Sequence, residues 1–358
     1  MNVGLVVPGF SADATDWCIP ALRHLARELA PRAHVRIIAV RYPYRRSRYR
    51  IDGADVIALG GAEARGPRAL NVWQRALSTL AAEHRLRRFD VLHAFWATES
   101  GLLAALAGRM LRIPTLVSLA GGELVGLRDI GYGDQCSPWE RLKVSTALRL
   151  ARAVSAGSRY LVRIAQPSRA QVELLPLGVD TTLFRPATDR SRDRLLHVGA
   201  LTPVKDQRLL LEAVAELRRR GAALPLDIVG DGPLRGTLER LAHRLGLTDS
   251  VRFLGSRDHA DLASLYQAAR TFVVTSRHEA QCMVALEAAS CGIPVVGTNV
   301  GVIPDLASEA TVAIGDAPAL ADALQTSRTT AARDVVEREF ALDVCTQGFL
   351  RCYARLAA

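Results

Sequence analysis

Short runs of Val, Ile and Leu recur along the chain between longer stretches of helical period, the pattern of strands alternating with helices around parallel sheets. In the first half, strands are expected at Val3 to Val7, Val35 to Val40, Asp55 to Leu59, Val91 to Phe95 and Thr115 to Leu119. Between them, Trp73 to Leu86 reads as a helix with Ala76, Leu77, Leu80 and Ala81 on its apolar face and Arg75, Ser78, Thr79 and Glu83 elsewhere. The run Leu174-Leu175-Pro176-Leu177-Gly178-Val179-Asp180 then leads into a polar stretch, Thr188 to Arg194, expected to be an interdomain linker. A second alternating series follows, with strands near Leu195 to Val198, Leu226 to Val229, Val251 to Leu254, Phe272 to Val274 and Pro294 to Val296. The expectation is an α/β protein of two Rossmann-like domains, residues 1–175 and 195–340, joined by a linker at 176–194. The last segment, 341–358, places Val344, Phe349, Cys352 and Leu356 at helical spacing and reads as a terminal helix.

Composition agrees with two cores. At 358 residues, 49% apolar and 23% charged, the chain is ordinary for a globular protein and longer than one core usually organises. The N-terminus, Met1 to Pro8, lacks a basic n-region and reads as a strand rather than a signal peptide, and no apolar run approaches a membrane span. The six cysteines show no metal-ligand spacing, so reduced thiols and a cytoplasmic setting are expected. The net charge of +10 is carried almost wholly by arginine, since Lys143 and Lys205 are the two lysines. Its densest patch, Arg41 to Arg50, interleaves tyrosine with arginine and admits three readings: a solvated loop, a contact with an anionic membrane or acceptor, or a nucleic-acid surface.

The most informative segment runs from Ser276 to Asp305. After the strand Phe272-Val273-Val274 comes Ser276-Arg277-His278-Glu279-Ala280-Gln281-Cys282-Met283-Val284, then a helix carrying Glu287 and ending at Gly292. The loop–helix junction from Gln281 to Val284 would lie at the carboxyl end of a parallel sheet, where free backbone N–H groups can hold a phosphate. Glu279 and Glu287 can face one crevice, one gripping ribose hydroxyls and the other a sugar. The bland alternative leaves Glu279 as a helix-dipole partner and Glu287 solvated.

Seven residues separate these glutamates. In that spacing and context the segment resembles the signature of family 4 retaining glycosyltransferases of the GT-B fold. Other stretches resemble the same family in the same order: Leu175 to Asp180 with Phe184-Arg185-Pro186, Leu195 to Gln207 around Gly199-Ala200 and Lys205, Ile228-Val229-Gly230-Asp231-Gly232-Pro233-Leu234, Leu245 to Gly255, and Val300-Gly301-Val302-Ile303-Pro304-Asp305. The resemblance is strong from about Val172 to Asp305 and holds in outline before that.

The resemblance implies two Rossmann-like domains facing a central cleft, with the C-terminal helix crossing back to the first. It implies transfer of a sugar from a nucleoside-diphosphate sugar to an acceptor hydroxyl, with retention. Lys205 would neutralise the leaving diphosphate and Glu279 meet the sugar, so these two are the candidate catalytic residues. Gly199, Gly230, Leu254, Gln281, Cys282, Met283, Val284 and Glu287 would bind the donor, with Glu287 as the nucleotide anchor. Gly9, His93, Gly121, Gly122 and Glu123 would lie on the acceptor side. The family's arginine after the glycine is here Ala200, for which Arg208 or Arg277 is the candidate replacement. A histidine or arginine is likewise replaced by Ala120, with His93 as substitute or as a structural histidine. No cofactor and no metal are expected, the donor being a co-substrate. The acceptor is expected to be lipid-linked or a polysaccharide, with peripheral contact at the inner face of an anionic membrane and no nucleic-acid partner. Two alternatives stand beside this: a nucleotide-sugar-binding module without catalysis, which Ala120 and Ala200 favour, and a nucleotide-sugar epimerase.

Overall fold

The computed structural model describes residues 1–62, 67–168, 171–187, 193–222, 224–306, 310–326 and 332–358. The chain forms two compact units, Met1–Gly178 with Leu342–Ala358, and Val179–Ala341. Of the polar stretch expected as a linker, residues 188–192 lie outside the described residues.

The first unit runs β1 (Asn2–Gly9), α1 (Pro20–Leu29), β2 (His34–Tyr42), β3 (Arg46–Ile51), β4 (Ala54–Leu59), α2 (Pro67–Leu86), β5 (Val91–Phe95), α3 (Glu99–Leu111), β6 (Thr115–Leu119), α4 (Pro138–Leu150), β7 (Ala153–Ala156), α5 (Arg159–Ala165) and β8 (Glu173–Leu174). Its sheet has the order β3-β4-β2-β1-β5-β6-β7-β8, parallel except for β3, which pairs antiparallel with β4. Each residue of β5 and β6 is buried, which is why those strands are mainly apolar, with His93 and Ser118 hydrogen-bonded to each other inside. At α4, Pro138 opens the first turn and the Ser137 hydroxyl accepts the Glu140 N–H.

The second unit runs β9 (Arg194–Val198), α6 (Gln207–Arg219), β10 (Leu226–Val229), α7 (Arg235–Arg244), β11 (Val251–Gly255), α8 (Leu262–Ala268), β12 (Ala269–Val274), α9 (Met283–Ser290), β13 (Val295–Thr298), α10 (Ile303–Leu306), β14 (Thr311–Val312), α11 (Ala317–Thr326) and α12 (Ala332–Val335). The parallel order β11-β10-β9-β12-β13-β14 grows outward in both directions from β9. The connections reverse between β9 and β12, the place at the carboxyl edge where open α/β sheets bind ligands.

The final helix, α13 (Leu342–Ala357), belongs to the first unit. It inserts Phe349, Cys352 and Tyr353 among Val3, Leu5, Leu22 and Phe95. Burial of a side chain such as Phe349 contributes roughly 1.5–3 kcal/mol, which accounts for the return of the chain to this core.

Two expectations need correction, and three short strands were not expected. The Arg41 to Arg50 segment is not simply a loop: Arg46–Ile51 is the edge strand β3, and Arg41 forms a bidentate pair with Glu99 at 2.6 Å on each side. Glu83, expected on the polar face of its helix, is buried, because Arg36 and Arg48 both pair with its carboxylate. The strands β7, β8 and β14, at two to four residues, are too short to show a period.

Candidate active site

In the second unit the backbone crosses itself closely at the carboxyl edge of β9. The Gly199 N–H donates to the Val229 carbonyl at 2.9 Å, and Gly230, at φ +127°, sits so near that an added Cβ would lie 2.0 Å from the Gly199 carbonyl oxygen. The Gly230 N–H in turn donates to the Gly255 carbonyl at 2.9 Å, beside half-buried Leu254. Thus the ends of β9, β10 and β11, with the expected donor residues Gly199, Gly230 and Leu254, are drawn together by glycine.

Lys205 stands on the turn after β9, where its N–H donates to the Thr202 carbonyl at 3.0 Å. Its ammonium donates to Glu279 Oε1 at 2.5 Å, and the same oxygen accepts from the Ser276 hydroxyl at 2.6 Å. The Thr275 hydroxyl donates to the Lys205 carbonyl at 2.9 Å and the Arg277 N–H to the Val204 carbonyl at 2.8 Å, which ties the β9 and β12 loops together. The two residues expected to be catalytic, 74 positions apart in sequence, therefore meet where the sheet order reverses.

The junction before α9 is shaped from both sides. Cys282 has φ +81° at the position preceding the helix, and Gln281 offers its carbonyl to the Val302 N–H at 2.9 Å. Gly301, at φ +57°, packs so closely that a Cβ there would meet the Gln281 carbonyl at 2.6 Å. The loop Val300 to Asp305 thus braces the loop that carries Glu279. Met283 and Val284 form the first turn of α9, a region of partial positive charge.

Glu287 is buried rather than solvated. Its Oε1 accepts from His259 Nε2 at 2.9 Å and its Oε2 from the Tyr266 hydroxyl at 2.8 Å. The two glutamates accordingly have separate partners: Glu279 joins Lys205 and Ser276, and Glu287 joins His259 and Tyr266. Burial, followed by the neighbouring Glu287 charge, holds the Tyr266 phenol well above its ordinary pKa, so it remains a donor. Burial likewise raises the Cys282 thiol, making this cysteine an apolar residue rather than a nucleophile.

His197 was not singled out from sequence. It is buried on β9, with Nδ1 donating to the Val273 carbonyl at 2.9 Å and Nε2 accepting from Gln207 at 3.1 Å. Burial is the main reason its pKa falls to about 4. A histidine in an otherwise apolar strand, two residues before a glycine turn, was the available signal. His259 and Tyr266 gave none, being remote in sequence from Glu287. Arg208, one candidate for the missing arginine, has its guanidinium on Glu212 at 2.7 Å on the exposed side of α6.

In the first unit, Gly9 ends β1, where a Cβ would lie 3.1 Å from that of Tyr42. Gly121 packs on the Trp96 indole and Gly122 on the Tyr132 ring. Glu123 is buried and its carboxylate accepts the N–H groups of Ala97, Ala120 and Gly121 at 3.2, 3.0 and 2.7 Å, so it organises this loop from within. Burial raises its pKa against those hydrogen bonds. His93, the expected substitute for Ala120, lies in the core with Nδ1 on the Tyr353 hydroxyl at 2.6 Å and Nε2 on the Ser118 hydroxyl at 2.7 Å. Complete burial drives its pKa down to about 3. It secures α13 to β5 and β6 and does not reach an acceptor surface.

Among the described residues no group of three or more His, Cys, Asp or Glu is placed to hold a metal ion, and no helix is long and apolar enough to cross a membrane. All six cysteines are free thiols.

Two Rossmann-like units, with Lys205 and Glu279 paired at the reversal point of the second, match the architecture of the GT-B fold. Comparison with known proteins agrees: the "Glycosyl transferase 4-like domain" model matches residues 19–178 and the "Glycosyl transferases group 1" model matches residues 180–326. The chain belongs to this glycosyltransferase family, family 4 of the GT-B fold. A D-inositol 3-phosphate glycosyltransferase of Frankia alni is 36% identical over 248 residues, covering 62% of this chain and 60% of the relative. One from Salinispora arenicola is 33% identical over 258 residues, covering 63% and 56%. The chain therefore spans well under two thirds of the length of these relatives. Among solved structures, sucrose-phosphate synthase from Thermosynechococcus elongatus superposes with a TM-score of 0.77 at 22% identity, over 99% of both chains. Anabaena HepE, solved in complex with UDP-glucose, superposes with a TM-score of 0.74 at 18% identity, over 99% of this chain and 100% of that one.

Proposed function

We propose that the protein transfers a hexosyl group from a nucleoside-diphosphate sugar to an acceptor hydroxyl, with retention at the anomeric carbon and without a divalent metal. The observation that carries this reading is the Lys205–Glu279 ion pair at the reversal point of the second sheet, beside the first turn of α9. Cleavage of the anomeric C–O bond leaves its electron pair, and hence negative charge, on the diphosphate. The Lys205 ammonium and the N–H groups around Gln281 to Val284 meet that charge as it develops, which lowers the barrier more than it strengthens donor binding. Glu279, itself held by the Ser276 hydroxyl, keeps the ammonium in place and borders the position of the sugar. The acceptor oxygen attacks the face from which the diphosphate departs, and its proton passes to the leaving phosphate oxygen. No protein base is required.

UDP-glucose is the first donor to test, given the complex of HepE. The acceptor is a lipid-linked or polysaccharide hydroxyl. Exposed Arg45, Arg46 and Arg50 beside Tyr44 give the first unit a basic surface suited to the inner face of an anionic membrane. The decisive experiment screens UDP-, GDP- and ADP-sugars for thermal stabilisation and then follows donor turnover with and without EDTA. Stabilisation by one donor, with turnover that survives EDTA, is expected. Abolition by EDTA overturns metal independence, and donor binding without any turnover or hydrolysis overturns catalysis.

A further inference from the structure

Resting on the donor reading above, we infer that His259 and Tyr266 form with Glu287 a three-residue ribose clamp, in which they are positioning residues that give the site its preference for ribonucleotides over 2′-deoxyribonucleotides.

A carboxylate as buried as that of Glu287, 5% exposed, must be met by donors or it is strongly disfavoured. Here each oxygen receives one: His259 Nε2 at 2.9 Å on Oε1 and the Tyr266 hydroxyl at 2.8 Å on Oε2. The donors come from two separate elements, the short turn His259–Asp261 and helix α8, so the carboxylate is pinned at both ends. The donors are themselves fixed. The Phe184 ring meets the His259 ring at 5.3 Å and 73° and the Tyr266 ring at 5.8 Å and 67°, and Tyr266 also lies edge-on to Phe272 at 5.5 Å. Phe184 and Tyr266 are fully buried, so neither can swing away without opening the core.

The chemical consequence follows from lone pairs. An ionised carboxylate has about four acceptor sites on its two oxygens. His259 and Tyr266 take one on each and leave one on each. Two acceptors held side by side in a fixed plane are the complement of two neighbouring hydroxyl groups, as on the 2′ and 3′ carbons of ribose. The terminal torsion of a glutamate is otherwise broad and two-fold, so a carboxylate released from one donor no longer presents both oxygens together. His259 and Tyr266 thereby convert a flexible acid into a reader of vicinal diols, and a nucleotide lacking the 2′ hydroxyl leaves one buried acceptor unmet.

The test is calorimetric titration of UDP, GDP and ADP, each against its 2′-deoxy counterpart, on the wild-type chain and on His259→Ala, His259→Gln and Tyr266→Phe. Thermal unfolding is recorded for each variant to show that it is folded. Wild type should prefer its ribonucleotide by roughly 10- to 100-fold, the worth of one hydrogen bond to a charged group. His259→Ala and Tyr266→Phe should lower that ratio to about 3-fold or less, while His259→Gln, which restores an N–H donor, should recover most of it. A purely structural role would weaken both nucleotides alike and leave the ratio unchanged, and that result overturns the clamp even where affinity falls. If Tyr266→Phe does not fold, the two His259 variants decide. Failure of the wild type to bind any of the three nucleotides overturns the donor reading itself. Binding with an undiminished ratio in His259→Ala overturns the clamp alone.

Discussion

At the scale of single residues, the chemistry converges on one ammonium. Lys205 is one of two lysines in a chain that otherwise uses arginine, and its 2.5 Å contact with Glu279 fixes it where the sheet order reverses. Lys205→Ala should lower kcat by roughly 100-fold or more, as removal of a single preorganised oxyanion stabiliser does. Nucleotide affinity should fall far less, which steady-state kinetics together with calorimetry will separate; near-normal turnover would remove Lys205 from the mechanism. Glu287→Ala should act on the other quantity, weakening nucleoside diphosphate binding in the same titration, because its carboxylate is held by His259 and Tyr266 and not by Lys205. Lys205, Glu279 and Glu287 were each legible in the sequence, because their motifs impose local spacing. Their partners were not. His259 and Tyr266 are recruited by packing, and no periodicity marks a residue that will meet another 21 or 28 positions away.

At the scale of elements, the site depends on how closely loops can cross. Gly230 combines a left-handed φ of +127° with a Cβ position 2.0 Å from the Gly199 carbonyl oxygen. Gly230→Ala is expected to cost roughly 2–5 kcal/mol, from strain and overpacking together, and to abolish nucleotide binding. Gly221, at φ +82° with open space around it, provides the control: Gly221→Ala pays only the conformational term, about 1 kcal/mol. Urea unfolding midpoints for the two variants measure the difference, and equal losses would show that the close crossing is unimportant. The strands beneath these loops were readable because parallel strands buried on both faces are continuous apolar runs. The edge strand β3 was not, since its inward face is only Ser47, Tyr49 and Ile51 between three exposed arginines, too little apolar surface to stand out. Its strand character comes from hydrogen bonds to β4, which a one-dimensional pattern does not contain.

At the scale of the whole molecule, each unit holds a histidine that burial keeps neutral, His93 in the first and His197 in the second. Folding lowers their pKa values from 6.5 to about 3 and about 4, in both cases chiefly by burial. The stability that depends on their neutrality is therefore complete above pH 6.5 and is lost as pH falls from 6.5 towards 4 for His197 and towards 3 for His93. Denaturant unfolding between pH 7.5 and about 4.5 should show falling stability in both units, and His197→Gln should flatten the slope in the second; an unchanged slope would mean that carboxylates alone govern acid unfolding. By itself the sequence determined the two alternating series, the terminal helix and the order of the donor motifs, because period and glycine placement are local properties of the chain. Only the tertiary structure decided that Glu279 belongs to Lys205 and Glu287 to His259 and Tyr266, that His93 is an internal strut, and that Glu123 folds its own loop. Those outcomes depend on burial, which leaves a polar group no solvent to bond with and compels it to take whichever partner the fold brings near.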